Sequence, residues 1–235
     1  MENQKKTIGI IGGMGPAATA LLFQRIVEYT DAEKDADHIH ILIDNYPAVP
    51  DRTACIKSGS DKPVDYICDA GNKLISIGAD LLIIPCNTSH YFYDKIQSRL
   101  SVPVINMISE TALVCRNRGC GKVGILATDG TKEMRIFDKE LEKLAIEAVP
   151  TSPEGQREVM SVIYDQVKAG RKISTEKLAY YLNEMKHEGA EAFILGCTEL
   201  SAALRDGDYG FKFIDTLEVL AKSAIVQSGY KLKIS

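Results

Sequence analysis

A nine-residue pattern occurs twice in this chain, 189 − 78 = 111 positions apart: Gly78-Ala79-Asp80-Leu81-Leu82-Ile83-Ile84-Pro85-Cys86 and Gly189-Ala190-Glu191-Ala192-Phe193-Ile194-Leu195-Gly196-Cys197. Each copy has a Gly-Ala-acid entry, a continuous apolar run and a terminal cysteine. A short apolar run with polar flanks reads as a buried parallel strand. The polar clusters that follow, Asn87-Thr88-Ser89 and Thr198-Glu199, can open helices. Both thiols are thus expected at the carboxyl end of a strand and the amino end of a helix, the edge where open α/β sheets bind ligands.

Two further pairs repeat in the same order. Ile8-Gly9-Ile10-Ile11 resembles Val123-Gly124-Ile125-Leu126, an offset of 124 − 9 = 115, and Val104-Ile105-Asn106 resembles Phe213-Ile214-Asp215, an offset of 213 − 104 = 109. Near-constant spacing of ordered motifs implies two related lobes rather than a short-period solenoid. The expected architecture is α/β: two pseudo-symmetric lobes, each a parallel sheet flanked by helices, with the site in a cleft between them. Residues 1–117 plus 216–235 form one expected lobe and 118–215 the other. With 235 residues, 45% of them hydrophobic, the chain has enough apolar mass for two such cores.

Composition removes several classes. A net charge of −4 over a mixed surface provides no basic stripe for nucleic acid or an anionic membrane. No apolar run reaches the length of about 18–20 residues that spans a bilayer. The polar start, Met1 to Lys6, leads directly into a strand, so no export signal and a cytoplasmic location are expected. The cysteines at 55, 68, 86, 115, 120 and 197 read as free thiols, and Cys115 and Cys120 lack zinc-ligand spacing.

Periodicity predicts strands at Thr7 to Ile11, Ile39 to Ile43 and Val102 to Asn106 beside the first cysteine strand. It predicts helices over Ala17 to Tyr29, Val64 to Ile77, Thr88 to Leu100 and Thr216 to Gln227. From Asp44 to Pro63 the chain reads as a long polar loop, a candidate lid. The turn Gly12-Gly13-Met14-Gly15-Pro16-Ala17-Ala18 contains a formal Gly-x-Gly-x-x-Ala, and Asp44 closes the second strand. Asp44 lies 44 − 13 = 31 residues past Gly13, however, longer than a dinucleotide site needs. With Pro16 at the first helical position, the turn also suits a substrate carboxylate.

A helix amino terminus favours a thiolate, so both sulfurs are expected where ionisation is easiest. Taking a proton from one face of a carbon and returning one to the other needs an acid and a base on opposite sides, and identical groups let the reaction run both ways. Two matched thiols therefore point to racemisation or epimerisation.

Gly12-Gly13-Met14-Gly15-Pro16-Ala17-Ala18-Thr19, Pro85-Cys86-Asn87-Thr88-Ser89-His90 and Gly196-Cys197-Thr198-Glu199-Leu200 together resemble the signature segments of the aspartate/glutamate racemase family, aspartate branch. The resemblance spans nearly the whole chain. It implies no pyridoxal phosphate, no metal, a homodimer, and Cys86 and Cys197 as the two catalytic groups. It also implies Arg52, in Pro50-Asp51-Arg52-Thr53, and Lys168, in Val167-Lys168-Ala169-Gly170, as the cations that hold an aspartate or glutamate substrate. A guanidinium can take such a carboxylate bidentately. Asn87, Thr88 and Thr198, with Met14, Gly15 and Pro16, are expected to hold the α-carboxylate and amino group. Thr128 and Thr131 occupy the equivalent turn of the second lobe, and His90 reads as a satisfied helix residue. Glutamate racemases show an acidic-Ser-Gly turn and Cys-Thr-His where this chain has Gly12-Gly13-Met14 and Cys197-Thr198-Glu199, which moves the reading toward aspartate. An anionic Glu199 would oppose ionisation of Cys197 unless it points away or is itself paired. The alternatives are an acidic amino-acid binding or sensor protein and an NAD-dependent oxidoreductase, which substrate-proton exchange and NAD binding respectively discriminate.

Overall fold

The computed structural model describes residues 5–171, 174, 176–204 and 210–234. Met1 to Gln4, on which the reading of no export signal partly rests, lie outside the described residues. The chain alternates strands and helices: β1 (Ile8–Gly12), α1 (Pro16–Tyr29), β2 (Ile41–Asn45), α2 (Arg52–Lys57), α3 (Lys62–Ser76), β3 (Leu81–Ile83), α4 (Tyr93–Gln97) and α5 (Met107–Asn117). There follow β4 (Lys122–Leu126), α6 (Asp129–Glu133), α7 (Ile136–Glu142), β5 (Glu147–Val149), α8 (Pro153–Ser161), α9 (Glu176–His187), β6 (Ala192–Leu195), α10 (Thr198–Ala203), β7 (Phe213–Asp215) and α11 (Thr216–Gln227). Contacts group Met1–Met107 with Leu217–Ser235 as one compact unit and Ile108–Thr216 as another. The repeat spacing alone puts the first boundary after 117. In the first unit the carboxyl-terminal segment is tied down by backbone bonds from Lys6 N–H to Ser228 O at 3.0 Å and from Lys233 N–H to Tyr29 O at 2.8 Å. Among the described residues no helix is long and apolar enough to cross a membrane.

The repeat in the sequence is a repeat in topology. The first sheet has the order β2-β1-β3 and the second β5-β4-β6-β7, and every pairing is parallel. Gly9 on β1 lies opposite Leu82, and Gly124 on β4 lies opposite Phe193. A Cβ on Gly9 would meet Leu82 Cδ2 at 2.6 Å, and one on Gly124 would meet Phe193 Cδ1 at the same distance. Each central strand therefore carries a glycine where the neighbouring strand's large side chain lies across it. Gly78 and Gly189, both at φ +104°, end α3 and α9 and turn the chain into the two cysteine strands.

The structure departs from the sequence expectations at three places. The predicted strand Val102 to Asn106 is reduced to a bridge between Val104 and Leu82. Its outer edge is already satisfied, because Val104 N–H donates to Gln97 Oε1 at 2.7 Å and its carbonyl accepts from the Tyr93 hydroxyl at 2.9 Å. The segment after Cys86 is not one helix over Thr88 to Leu100 but a 3₁₀ turn, Thr88–Phe92, followed by the short α4. The expected loop from Asp44 to Pro63 contains α2, capped by Asp51, whose carboxylate accepts from Ala54 N–H at 2.8 Å.

Candidate active site

Within each sheet the connections reverse direction between the central strand and the cysteine strand, and this crevice at the strands' carboxyl ends is where such sheets bind ligands. In the first unit the turn after β1 and the residues after β3 flank it. Gly13, at φ +92°, brings this turn against the backbone of Tyr46, which a Cβ would meet at 2.3 Å. Thr19 Oγ1 accepts from Gly13 N–H at 3.0 Å and donates to Gly15 O at 3.1 Å, so the turn is braced by the helix it opens. Gly15 is the N-cap of α1 and Pro16 its first residue. Arg52 reaches back to the same turn. Its Nη2 donates to Met14 O at 3.4 Å, and its Nη1 donates to Val49 O and Pro50 O, each at 3.1 Å. Met14, Gly15, Pro16 and Arg52 are thus brought together.

Cys86 is buried beyond the end of β3, and Asn87 and Thr88 are buried with it. The Cys86 carbonyl accepts from Ser89 Oγ at 2.7 Å and from His90 Nδ1 at 2.9 Å. His90 Nε2 in turn accepts from Met107 N–H at 3.3 Å, which assigns the ring proton to Nδ1. Burial pushes the imidazole pKa down against the opposing effect of the backbone groups of Cys86 and Ile105, which favours the neutral ring. His90 shapes the turn that carries Cys86, in a 3₁₀ segment rather than an α-helix.

The second unit joins Cys197, Thr198 and Lys168 through Glu199. Cys197 is the N-cap of α10, and the preceding Gly196 N–H donates to Leu126 O at 2.8 Å, holding the thiol beside the turn after β4. A Cβ at 196 would stand 2.9 Å from Phe137 Cε2 and 3.1 Å from Ala127 Cβ, so glycine permits this approach. In that turn Thr128 caps α6, and its hydroxyl lies 3.1 Å from that of Thr131. The Cys197 thiol donates to Glu199 Oε2 at 2.9 Å, and Thr198 Oγ1 donates to the same oxygen at 3.3 Å. Lys168 Nζ lies 3.6 Å from the other oxygen, Oε1. A π-helical turn places this lysine: Lys168 N–H donates to Ile163 O at 3.0 Å, five residues back. Its ammonium also stands 4.4 Å from the centroid of the Tyr164 ring.

These contacts overturn the expectation that ionisation is easy at both thiols. Burial, and then the negative charge and hydrogen bond of Glu199, hold the Cys197 thiol well above its ordinary pKa; Lys168 opposes them only in part. One short helix terminus does not outweigh desolvation next to a carboxylate. Residue types alone do not single out Tyr164 or Gln156. Gln156 Nε2 donates to Ala127 O at 3.0 Å and Asp129 Oδ1 at 2.8 Å, bracing the β4 turn. The four-residue spacing of Tyr164 and Lys168 was the available signal for the former.

A two-unit α/β fold with a buried cysteine at the same topological position in each unit defines a class, and comparison with known proteins names it. The chain belongs to the Asp/Glu/hydantoin racemase family, whose model matches residues 11–224, and it is an isomerase. It is similar to the aspartate racemase of Picrophilus torridus, at 32% identity over 97% of this chain and 96% of that one, with a TM-score of 0.86. An aspartate racemase homologue from Pyrococcus horikoshii superposes with a TM-score of 0.80 at 27% identity, covering 95% of this chain and 99% of that one. The broad specificity amino-acid racemase RacX of Bacillus subtilis is 29% identical over 228 residues, 93% of this chain and 96% of its own length.

Proposed function

We propose that this racemase interconverts L- and D-aspartate by two-base proton transfer, with Cys86 and Cys197 as the two proton-carrying groups and no organic cofactor or metal. The observation that carries the reading is the duplicated position: in each sheet a buried cysteine follows the strand that flanks the switch point. One thiolate removes the Cα proton and the other thiol delivers a proton to the opposite face, so the product is the mirror image and the roles are exchanged. Arg52 and Lys168 favour an acidic side chain, because a dicarboxylate leaving water must be met by cations. Met14 to Pro16, Asn87, Thr88, Thr128 and Thr198 supply polar groups for the α-carboxylate and amine. Similarity to RacX supports a second reading, in which the same chemistry acts on a wider set of amino acids. The protein is proposed to act as a cytoplasmic homodimer, which sedimentation velocity would test.

Proton NMR of L-aspartate with the purified protein in D₂O tests the reading, with chiral chromatography of the product. Loss of the Cα proton together with appearance of D-aspartate, both abolished by Cys86→Ser and by Cys197→Ser, is the expected result. Exchange of other amino acids but not aspartate would replace the substrate, and undiminished racemisation by either serine variant would overturn the two-thiol mechanism.

A further inference from the structure

The two thiols occupy equivalent positions in the repeat, but the charges acting on Cys197 are specific to its own unit. Glu199, two residues on in α10, accepts the Cys197 S–H at 2.9 Å through Oε2, and Lys168 stands 3.6 Å from Oε1. The carboxylate is largely buried, with 12% of its side chain exposed, while the lysine retains 33%. Among the described residues, Glu199 and Lys168 are the charged groups that act on the thiol. The further polar neighbours are Thr198, which donates to the same carboxylate oxygen, and Tyr164 beneath the lysine. Asp215, reached from α10, is engaged by the Ser201 hydroxyl at 2.6 Å.

We propose that the Lys168–Glu199 pair fixes Cys197 as the proton donor of the resting enzyme: the carboxylate receives the thiol's hydrogen bond and keeps the sulfur protonated, and Lys168 sets how strongly. The inference rests on the reading of Cys197 as one of the two proton-transfer groups. A substrate carboxylate that draws Lys168 removes Glu199's countercharge, so an acidic substrate strengthens the hold on the proton it is about to receive. In the step itself the Cα–H bond breaks toward Cys86, which becomes the thiol. The electron pair left on Cα then takes the proton of the Cys197 S–H bond, leaving a thiolate at Cys197. That thiolate beside Glu199 is the unfavourable state, which drives its reprotonation from solvent while Cys86 returns a proton. Glu199 acts through Cys197 and is a positioning residue.

The test is the ¹³Cβ shift of Cys197 followed against pH in cysteine-labelled full-length protein, with the resonance assigned by its loss in Cys197→Ser. Glu199→Gln removes the anion and is expected to lower the thiol titration midpoint by about one to three pH units. Lys168→Met is expected to raise it. Succinate, an unreactive dicarboxylate, is expected to raise the midpoint in the wild type but not in Lys168→Met. The base-side limb of kcat/KM for aspartate against pH moves in the same two directions, which a merely structural role would not produce. A Cys197 titration that is unmoved in both variants, or moves the same way in both, overturns the tuning proposal. Full racemase activity in Cys197→Ser would instead remove Cys197 as the donor, whatever its titration shows, so the two failures are distinguishable. If Glu199→Gln does not fold, Lys168→Met with and without succinate still decides.

Discussion

Replacing Gly13 by alanine isolates the close approach that holds the β1 turn in place. Two costs add. The residue sits at φ +92°, where an L side chain is strained by about 1–2 kcal/mol. The new Cβ would also stand 2.3 Å from the carbonyl carbon and oxygen of Tyr46 and 2.7 Å from its nitrogen. These are backbone atoms that cannot rotate away, and overpacking of this kind costs about 1–3 kcal/mol. Taking about 3 kcal/mol as the sum, and about 2–4 °C per kcal/mol for a chain of this size, the melting temperature should fall by roughly 6–12 °C. Gly78→Ala is the control: φ is +104° there but nothing lies within 4 Å of the added Cβ, so only the backbone cost applies. Urea unfolding of both variants, read as midpoint shifts at unchanged slope, separates the two costs. Equal destabilisation of Gly13→Ala and Gly78→Ala would refute the claim that contact with Tyr46 makes glycine necessary at 13.

Three further outcomes follow from single contacts. Arg52→Lys keeps the charge but loses the planar fork that donates to Met14, Val49 and Pro50; KM for aspartate should rise about tenfold, read by initial-rate kinetics. His90 is buried neutral with its pKa lowered, so below the ordinary value of about 6.5 the unfolded chain binds the extra proton and the native state does not. Stability is therefore complete above that pH and falls as pH drops toward the lowered value. His90→Gln should flatten the slope between pH 7 and 5, and an undiminished slope in urea titrations would count against it. Burial pushes the Cys115 thiol up to about 12, so iodoacetamide at pH 8 should leave it unmodified in native protein and label it after denaturation, as peptide mass spectrometry would show.

Much of the scaffold is legible in the residues, and the reason is local. Apolar runs behind Gly78 and Gly189 mark β3 and β6, and the 3.6-residue stripes of α1, α3 and α11 place those helices within a few residues of their observed ends. The bridge at Val104 and the 3₁₀ turn after Cys86 are less legible. They depend on which side chains reach backbone groups: Gln97 and Tyr93 at one, Ser89 and His90 at the other. The π turn that carries Lys168 has no signature in its residue types.

By itself the amino-acid order determined that the chain is a duplicated α/β protein, which residues end its cysteine strands, and its family. The first two are written in spacing, because periodicity and turn chemistry act between near neighbours along the chain, and the family in the resemblance of its signature segments. Only the tertiary structure decided that Glu199 turns toward Cys197 rather than away, that Lys168 is its partner, and that burial and Glu199 together push the second thiol's pKa up. A thiol's charge state is set by desolvation and by charges within a few ångströms, and folding brings the π turn and the amino end of α10 that close.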